Sequence, residues 1–126
     1  MRVLVIEDNA DLRSYLRLQL EALDFQVLTA EHGRAAMSYV NDHTIDVALI
    51  DLFMPEMDGI ETIAELRRRS PDIQVIAMSG RPGELYLNVA RELGAGKVLH
   101  KPFELNELIA ALRDLGRLPS AGGPAR

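Results

Sequence analysis

Short apolar runs alternate with longer amphipathic stretches along most of this chain. Each run is made of consecutive apolar or β-branched residues, which is typical of a parallel strand that is covered on both faces. This pattern predicts five strands, at residues 3–6, 25–30, 47–50, 73–78 and 97–100.

Between the strands, apolar residues recur at helical spacing and predict helices at residues 11–23, 34–41, 60–69, 85–93 and 105–115. Gly94 and Gly116 follow two of these stretches, where glycine commonly ends a helix. In the third helix we expect the core-facing residues to be Ile60, Ile63, Ala64 and Leu66. Regular alternation of strands and helices predicts an α/β, doubly wound fold with a parallel sheet between two layers of helices.

Composition narrows the classes of protein. A length of 126 residues favours one domain, and the absence of cysteine excludes disulfide and thiol chemistry. A net charge of −5 argues against nucleic-acid binding by this domain itself. Since we find neither a signal-peptide pattern nor an apolar run of membrane-spanning length, we predict a cytoplasmic protein. We assign residues 1–116 to the domain and residues 117–126, rich in glycine, proline and alanine, to a flexible tail or linker.

Reactive side chains follow four of the predicted strands. Glu7 and Asp8 follow the first strand, Asp51 the third, Ser79 the fourth and Lys101 the fifth. Taken singly, each has an ordinary structural explanation, such as helix capping by an aspartate. Because functional groups of doubly wound sheets gather at the carboxyl ends of the strands, we expect all five side chains to share one crevice.

Three carboxylates in one crevice repel one another unless their negative charge is reduced or neutralised. Two of them about 5 Å apart repel by about 3 kcal/mol at an effective dielectric constant of about 20. Either their pKa values rise or a cation neutralises them, and hard oxygen ligands at an open site suit Mg²⁺ or Mn²⁺. With Lys101 and the Ser79 hydroxyl beside it, Asp51 is suited to attack a phosphoryl group.

These residues belong to motifs whose order and distances resemble the receiver domain of two-component response regulators over residues 1–116. The motifs are Glu7-Asp8 after the first strand, Asp51 to Pro55 followed by Asp58-Gly59, Ser79-Gly80, and Lys101-Pro102-Phe103 preceded by Gly94-Ala95. The resemblance implies a flavodoxin-like three-layer sandwich with strand order 2-1-3-4-5.

The resemblance also implies roles for the site residues. Asp51 would be the phosphoacceptor, and Mg²⁺ would be bound by the side chains of Asp8 and Asp51 and by the backbone carbonyl of Phe53. Glu7 would act through metal-bound water. Ser79 and Lys101 would contact the phosphoryl oxygens, and the peptide bond before Pro102 would be cis.

The same resemblance implies partners. A histidine kinase or histidine phosphotransfer protein would dock around the first helix and the loop after the fifth strand, and a downstream protein would respond. A homodimer would form through the face of the fourth helix, fifth strand and fifth helix. Such a domain catalyses only its own phosphorylation and dephosphorylation.

Val98 and Phe53 occupy positions that affect how the domain would switch and how long a phosphoryl group would last. The family usually carries Tyr or Phe three residues before the lysine, where this chain has Val98, whose stiff side chain cannot swing a ring. We therefore expect switching to proceed through the loop after Ser79 and the fourth helix. Phe53, two residues after the phosphoacceptor, is expected to shield an acyl phosphate from water.

Three other functions are compatible with an α/β fold of this kind, and the sequence disfavours each of them. A phosphatase with an aspartate nucleophile typically carries a second acid two residues later, where this chain has Phe53. A flavin-binding electron carrier needs a phosphate loop after the first strand, where Glu7 and Asp8 would repel phosphate. A pseudo-receiver that binds partners without phosphorylation usually lacks an acid or the lysine, but it remains the alternative.

Overall fold

The structure is a computed structural model and describes residues 1–53, 58–80 and 85–119. Within these residues, strands and helices alternate from end to end. They are β1 (Arg2–Ile6), α1 (Ala10–Ala22), β2 (Gln26–Ala30), α2 (Gly33–Asp42), β3 (Val47–Asp51), α3 (Gly59–Arg69), β4 (Gln74–Ser79), α4 (Leu85–Glu92), β5 (Lys97–His100) and α5 (Leu105–Asp114). The predicted α/β class is confirmed, and each predicted boundary lies within one residue of the observed one.

The strands form one parallel sheet in the order β2-β1-β3-β4-β5, which confirms the expected topology. The order reverses between β1 and β3, where Ile6 pairs with Ile50. The residues that follow, Glu7 and Asp51, therefore leave the sheet side by side. The pairing of Asp51 with Met78 and of Ser79 with His100 brings the ends of β4 and β5 to the same edge.

Two hydrophobic clusters cover the faces of the sheet, because alternate strand residues point to opposite sides. Leu4 and Ile6 of β1 belong to a first cluster, which includes buried residues of α2, α3 and α4. Val3 and Val5 belong to a second cluster, which includes buried residues of α1 and α5. The three-layer arrangement follows from this division.

The prediction that Ala64 faces the core is wrong, since Ala64 is exposed and Thr62 is buried. Ile63 and Leu66 are buried as expected. Successive helical residues are about 100° apart, so a face centred on residues 62, 63 and 66 leaves residue 64 outside. The hydroxyl of Thr62 is accommodated because it donates a hydrogen bond to the backbone carbonyl of Asp58, at 2.6 Å.

The chain after α5 turns back against the domain. Gly94 and Gly116 both have positive φ (108° and 77°), as expected for glycines that end helices. Arg117 donates its backbone N–H to Leu112, and Leu118 packs against the second cluster, so the packed chain continues past residue 116. Residues 120–126 lie outside the described residues, and the flexible tail stays a prediction there. Among the described residues, no helix is long and apolar enough to cross a membrane.

Candidate functional site

The carboxyl edge of the sheet carries a cluster of three acids. Glu7, Asp8 and Asp51 each offer one carboxylate oxygen, and these oxygens lie within 4.8 Å of one another. Glu7 and Asp51 are buried, with 0% and 4% of their surfaces exposed, whereas Asp8 is exposed. This acidic pocket therefore combines two buried acids with one acid, Asp8, that is open to solvent.

The loop from β1 to α1 fixes Glu7 through its backbone and its side chain. The N–H of Glu7 donates to the carbonyl of Ala30 at 3.0 Å, and its Oε2 accepts the N–H of Asn9 at 3.1 Å. The side chain of Asn9 in turn caps α1 by accepting the N–H of Leu12 at 2.9 Å. The first turn of the helix and the acid are thus held by one short segment.

Asp51 ends β3, and the backbone that follows it is held close. Its Oδ1 accepts the N–H of Phe53 at 3.1 Å. The N-terminus of α3 packs so near that a Cβ on Gly59 would lie 2.4 Å from Cα of Leu52 and 2.5 Å from the carbonyl oxygen of Asp51. The glycine is therefore required for α3 to begin directly behind Asp51.

Lys101 brings a positive charge into the pocket. Its Nζ lies 2.5 Å from Oε1 of Glu7 and 3.3 Å from Oδ2 of Asp51. Its backbone N–H donates to the carbonyl of Ser79 at 2.7 Å, which ties the ends of β4 and β5 together. The peptide bond between Lys101 and Pro102 is cis, as the resemblance implies.

The pKa values of the two buried acids, Glu7 and Asp51, are raised, which favours their neutral forms. Burial raises the pKa of Glu7 to about 7, although hydrogen bonds from Lys101 and from the N–H of Asn9 oppose the shift. Burial also raises the pKa of Asp51 against the opposing hydrogen bond from Phe53 and the charge of Lys101. Burial disfavours the ammonium of Lys101, but the hydrogen bond to Glu7 and the charges of Asp51 and Glu7 outweigh it, so the pKa of Lys101 is raised.

The charges of the pocket suit a divalent cation. When all three carboxylates are ionised, the single ammonium of Lys101 leaves two negative charges without a partner among these four side chains. The ligand atoms are carboxylate oxygens, one acid is open to solvent, and such an open oxygen site is what Mg²⁺ and Mn²⁺ prefer. The residues present therefore fit the predicted metal.

Of the other predicted residues, Ser79 ends β4, Phe53 follows the end of β3, and Val98 lies within β5. Ser79 is buried at the end of β4, with its carbonyl bonded to Lys101. Phe53 is half-buried and packs against the first cluster beside Asp51. Val98 also packs against the first cluster, in register with Ala77, and so belongs to the sheet rather than to the acidic pocket. Pro55 lies outside the described residues.

Arg13 was not among the residues predicted for the site. Its NH1 donates to the backbone carbonyl of Glu7 at 2.8 Å and to that of Asp8 at 3.4 Å. An arginine in the first turns of a helix that follows an acidic strand end is the signal that could have identified it.

Comparison with known proteins identifies the class defined by this fold and site. Residues 3–113 match the family described as response regulator receiver domain, and the chain belongs to that family. It is 38% identical over 117 residues to the virulence transcriptional regulatory protein PhoP of Salmonella typhimurium strain LT2, covering 93% of this chain and 52% of that protein. It is 34% identical over 117 residues to the transcriptional regulatory protein PhoP of Escherichia coli K12, again covering 93% of this chain and 52% of that protein. The chain spans about half the length of the curated relatives it matches.

Solved structures agree with this assignment. The chemotaxis protein CheY4 of Vibrio cholerae has a TM-score of 0.84 at 25% identity, covering 90% of this chain and 96% of that one. A response regulator of Burkholderia pseudomallei was solved with a phosphorylated aspartic acid and a calcium ion. It has a TM-score of 0.82 at 26% identity, covering 88% of this chain and 65% of that one. The beryllofluoride-activated NtrC4 receiver domain dimer has a TM-score of 0.84 at 29% identity, covering 90% of this chain and 93% of that one.

Proposed function

We propose that Asp51 accepts a phosphoryl group from a histidine kinase or a histidine phosphotransfer protein in a Mg²⁺-dependent reaction. The observation that carries this proposal is the placement of Asp51, which is buried beside two other acids and 3.3 Å from the ammonium of Lys101. The phosphorylated aspartic acid in the Burkholderia pseudomallei relative supports the same chemistry.

The metal ligands we propose are the side chains of Asp8 and Asp51 and the backbone carbonyl of Phe53. Glu7, which is buried and already bonded to Lys101 and Asn9, would act through a metal-bound water. A bound Mg²⁺ or Mn²⁺ supplies positive charge against the acids and the phosphoryl oxygens.

The chain's own residues then have distinct tasks in the transfer. A carboxylate oxygen of Asp51 forms a bond to phosphorus while the phosphorus–nitrogen bond of phosphohistidine breaks, and its electron pair stays on the imidazole nitrogen. Lys101 and the hydroxyl of Ser79 stabilise the charge on the phosphoryl oxygens, which is the main requirement of phosphoryl transfer. Lys101 can do so because its Nζ already reaches Oδ2 of Asp51.

An apolar groove beside the pocket supports docking of the phosphodonor around α1 and the loop after β5. It has a volume of about 280 Å³ and is lined by Leu12, Tyr15, Leu16, Lys101, Pro102, Phe103 and Leu105. On the outer side of α1, Tyr15 and Leu18 are 47% and 59% exposed. A phosphodonor could pack an apolar helical surface against this groove and thereby bring its phosphohistidine to the acidic pocket.

For the output we propose a change in partner binding. The curated relatives are named transcriptional regulators, so a downstream protein or a further domain would respond to the phosphoryl group. We place a homodimer interface on the face of α4, β5 and α5, where Lys97 and Asp114 form an ion pair of 2.9 Å, and the NtrC4 relative is an activated dimer. We propose the cytoplasm as its location, as for other members of the family.

With Val98 in place of the usual aromatic residue, we propose that switching proceeds through the loop after Ser79 and α4. Residues 81–84 of that loop lie outside the described residues. Amide NMR spectra with and without beryllofluoride test this route. Shifts that extend along α4 are expected, and shifts confined to the acidic pocket would contradict it.

Phosphoramidate tests the reaction class without a known kinase, because it carries the phosphorus–nitrogen bond of phosphohistidine. We expect incorporation of one phosphoryl group with Mg²⁺ or Mn²⁺, no incorporation with EDTA, and release by hydroxylamine, which cleaves acyl phosphates. A protein that stays unlabelled in Mg²⁺ would favour the pseudo-receiver instead.

A further inference from the structure

Arg13 lies on α1 but reaches back over the loop that carries two of the acids. Its NH1 donates to the carbonyl of Glu7 at 2.8 Å and to that of Asp8 at 3.4 Å. Its NH2 lies 3.9 Å from Oε1 of Glu31, just after β2. Only 17% of the Arg13 side chain is exposed, so the guanidinium is held in the structure rather than in solvent.

The reach of Arg13 follows from helix geometry. Helical side chains lean toward the N-terminus of their helix, so a long side chain in the first turns lies over the residues that precede it. A cation at this end of a helix is disfavoured by the helix dipole. The position is therefore tolerable only because the guanidinium makes charge-assisted hydrogen bonds to two carbonyls and faces Glu31.

We propose that Arg13 is a positioning residue for the divalent cation, because it fixes the backbone from which Glu7 and Asp8 extend. This inference rests on the proposed function. Asp8 is exposed, and packing alone does not hold its carboxylate near Asp51. Two consecutive carbonyls tied to one nitrogen restrict the rotation of the peptide unit between them, and so restrict where the Asp8 side chain leaves the loop.

Arg13 also carries a charge, and the two consequences of removing it have opposite signs. As a positive charge near the pocket, Arg13 opposes the binding of a cation, so its loss would tighten Mg²⁺ binding by electrostatics alone. As a support of the ligand geometry, its loss would weaken Mg²⁺ binding. Removal of groups that orient metal ligands typically weakens metal affinity by about 10- to 100-fold. The sign of the change therefore separates the two roles.

The test is an NMR titration of the full chain with MgCl₂ at pH 8, comparing wild type, Arg13→Gln, Arg13→Lys and Arg67→Gln. Arg67 is the matched control, because its NH1 also donates to a backbone carbonyl, that of Ile73 at 2.6 Å, near the opposite edge of the sheet. We expect Arg13→Gln to raise the Mg²⁺ dissociation constant by about tenfold or more and Arg67→Gln to leave it unchanged. Arg13→Lys, which keeps the charge but not the planar fork, is expected to fall between wild type and Arg13→Gln.

A second readout needs no metal. The N–H of Asn9 donates to Oε2 of Glu7, so its hydrogen exchange reports the order of the loop directly. We expect faster exchange of this amide, relative to global stability, in both Arg13 variants and not in Arg67→Gln. If Arg13→Gln does not fold, the Mg²⁺ affinity and the Asn9 amide exchange of Arg13→Lys are compared with those of wild type instead.

The outcomes are distinguishable. Mg²⁺ binding that is unchanged or tighter in the folded Arg13 variants, or equally weakened in Arg67→Gln, would overturn the inference and leave the proposed function intact. A wild type that binds no Mg²⁺ would overturn the proposed function and the inference together.

Discussion

The Nζ atom of Lys101 lies 2.5 Å from Oε1 of Glu7, although the two residues are 94 positions apart in the chain. The contact joins the ends of β1 and β5, which are not neighbours in the sheet. The same Nζ lies 3.3 Å from Oδ2 of Asp51, so one ammonium compensates two buried acids. The acidic pocket depends on this lysine even before it meets a phosphoryl group.

Replacing Lys101 by methionine is therefore expected to destabilise the protein in buffer without divalent cations. Two buried carboxylates would lose their cation, which costs about 2 kcal/mol in the free energy of unfolding, less than for a fully buried pair because the Lys101 side chain is 20% exposed. Urea unfolding followed by circular dichroism at pH 8 measures the change. Lys97→Met is the control, since it removes an exposed ion pair with Asp114 and should cost less than about 1 kcal/mol. Equal losses in the two variants would contradict the role given to Lys101.

A pH dependence follows from the raised pKa of Glu7. In the folded protein the pKa of Glu7 is about 7, whereas in the unfolded chain the group loses its proton near its ordinary pKa of 4.5. Between these values the folded state binds more protons, so stability falls as pH rises through this window. Unfolding free energies measured from pH 4.5 to 8 without divalent cations should show this decline.

Two comparisons check the origin of that decline. Glu7→Gln cannot ionise and should flatten the slope. Mg²⁺ should oppose the decline, most strongly above pH 7, where the acids are ionised. A slope that is the same in wild type and Glu7→Gln would exclude Glu7 as its cause.

Gly59 is expected to tolerate no side chain. A Cβ there would lie 2.4 Å from Cα of Leu52 and 2.5 Å from the carbonyl of Asp51, and neither backbone atom can move without displacing the acid. Gly59→Ala should lower the free energy of unfolding by about 3 kcal/mol. Gly80→Ala is the matched control, because its Cβ would meet Lys101 at 3.6 Å, an ordinary contact, and should cost about 1 kcal/mol or less. Denaturant unfolding of both variants would settle the comparison, and a well-tolerated Gly59→Ala would show that the strand end is looser than its packing indicates.

Phe53 is expected to slow the hydrolysis of the aspartyl phosphate. It is half-buried against the first cluster, and its backbone N–H donates to Oδ1 of Asp51, so an apolar residue adjoins the carboxylate. Phe53→Asn should lose the phosphoryl group about tenfold faster. This corresponds to an activation free energy of hydrolysis that is lower by about 1.4 kcal/mol. Phe53→Leu keeps an apolar side chain and should remain near the wild-type rate. Decay of the phosphoprotein, followed by mass spectrometry after EDTA addition, gives the rates, and equal rates in wild type and Phe53→Asn would refute the shielding.

The sequence predicted the strands and helices well because each buried strand is a continuous apolar run and each helix carries a regular apolar face. It also placed the acids and Lys101 at one edge, since in a parallel sheet the carboxyl ends of strands meet. Side-chain orientation within a helix was harder, as Ala64 and Thr62 show, because polarity does not reveal a hydroxyl satisfied by the preceding turn. The role of Arg13 was missed because its partners are backbone carbonyls, which every residue carries, so only its position in the first turns of α1 after an acidic strand end pointed to it.

The phosphoacceptor role of Asp51 is tested by the intact mass of the protein after incubation with acetyl phosphate and Mg²⁺, for wild type and Asp51→Asn. Asp51→Asn keeps the shape of the side chain but removes the nucleophilic carboxylate, and Asp11→Asn, an exposed acid on α1, serves as the control. We predict the added mass of one phosphoryl group in wild type and in Asp11→Asn, and none in Asp51→Asn. A wild type without that added mass, or an Asp51→Asn variant that carries it, would contradict the assignment of Asp51 as the phosphoacceptor.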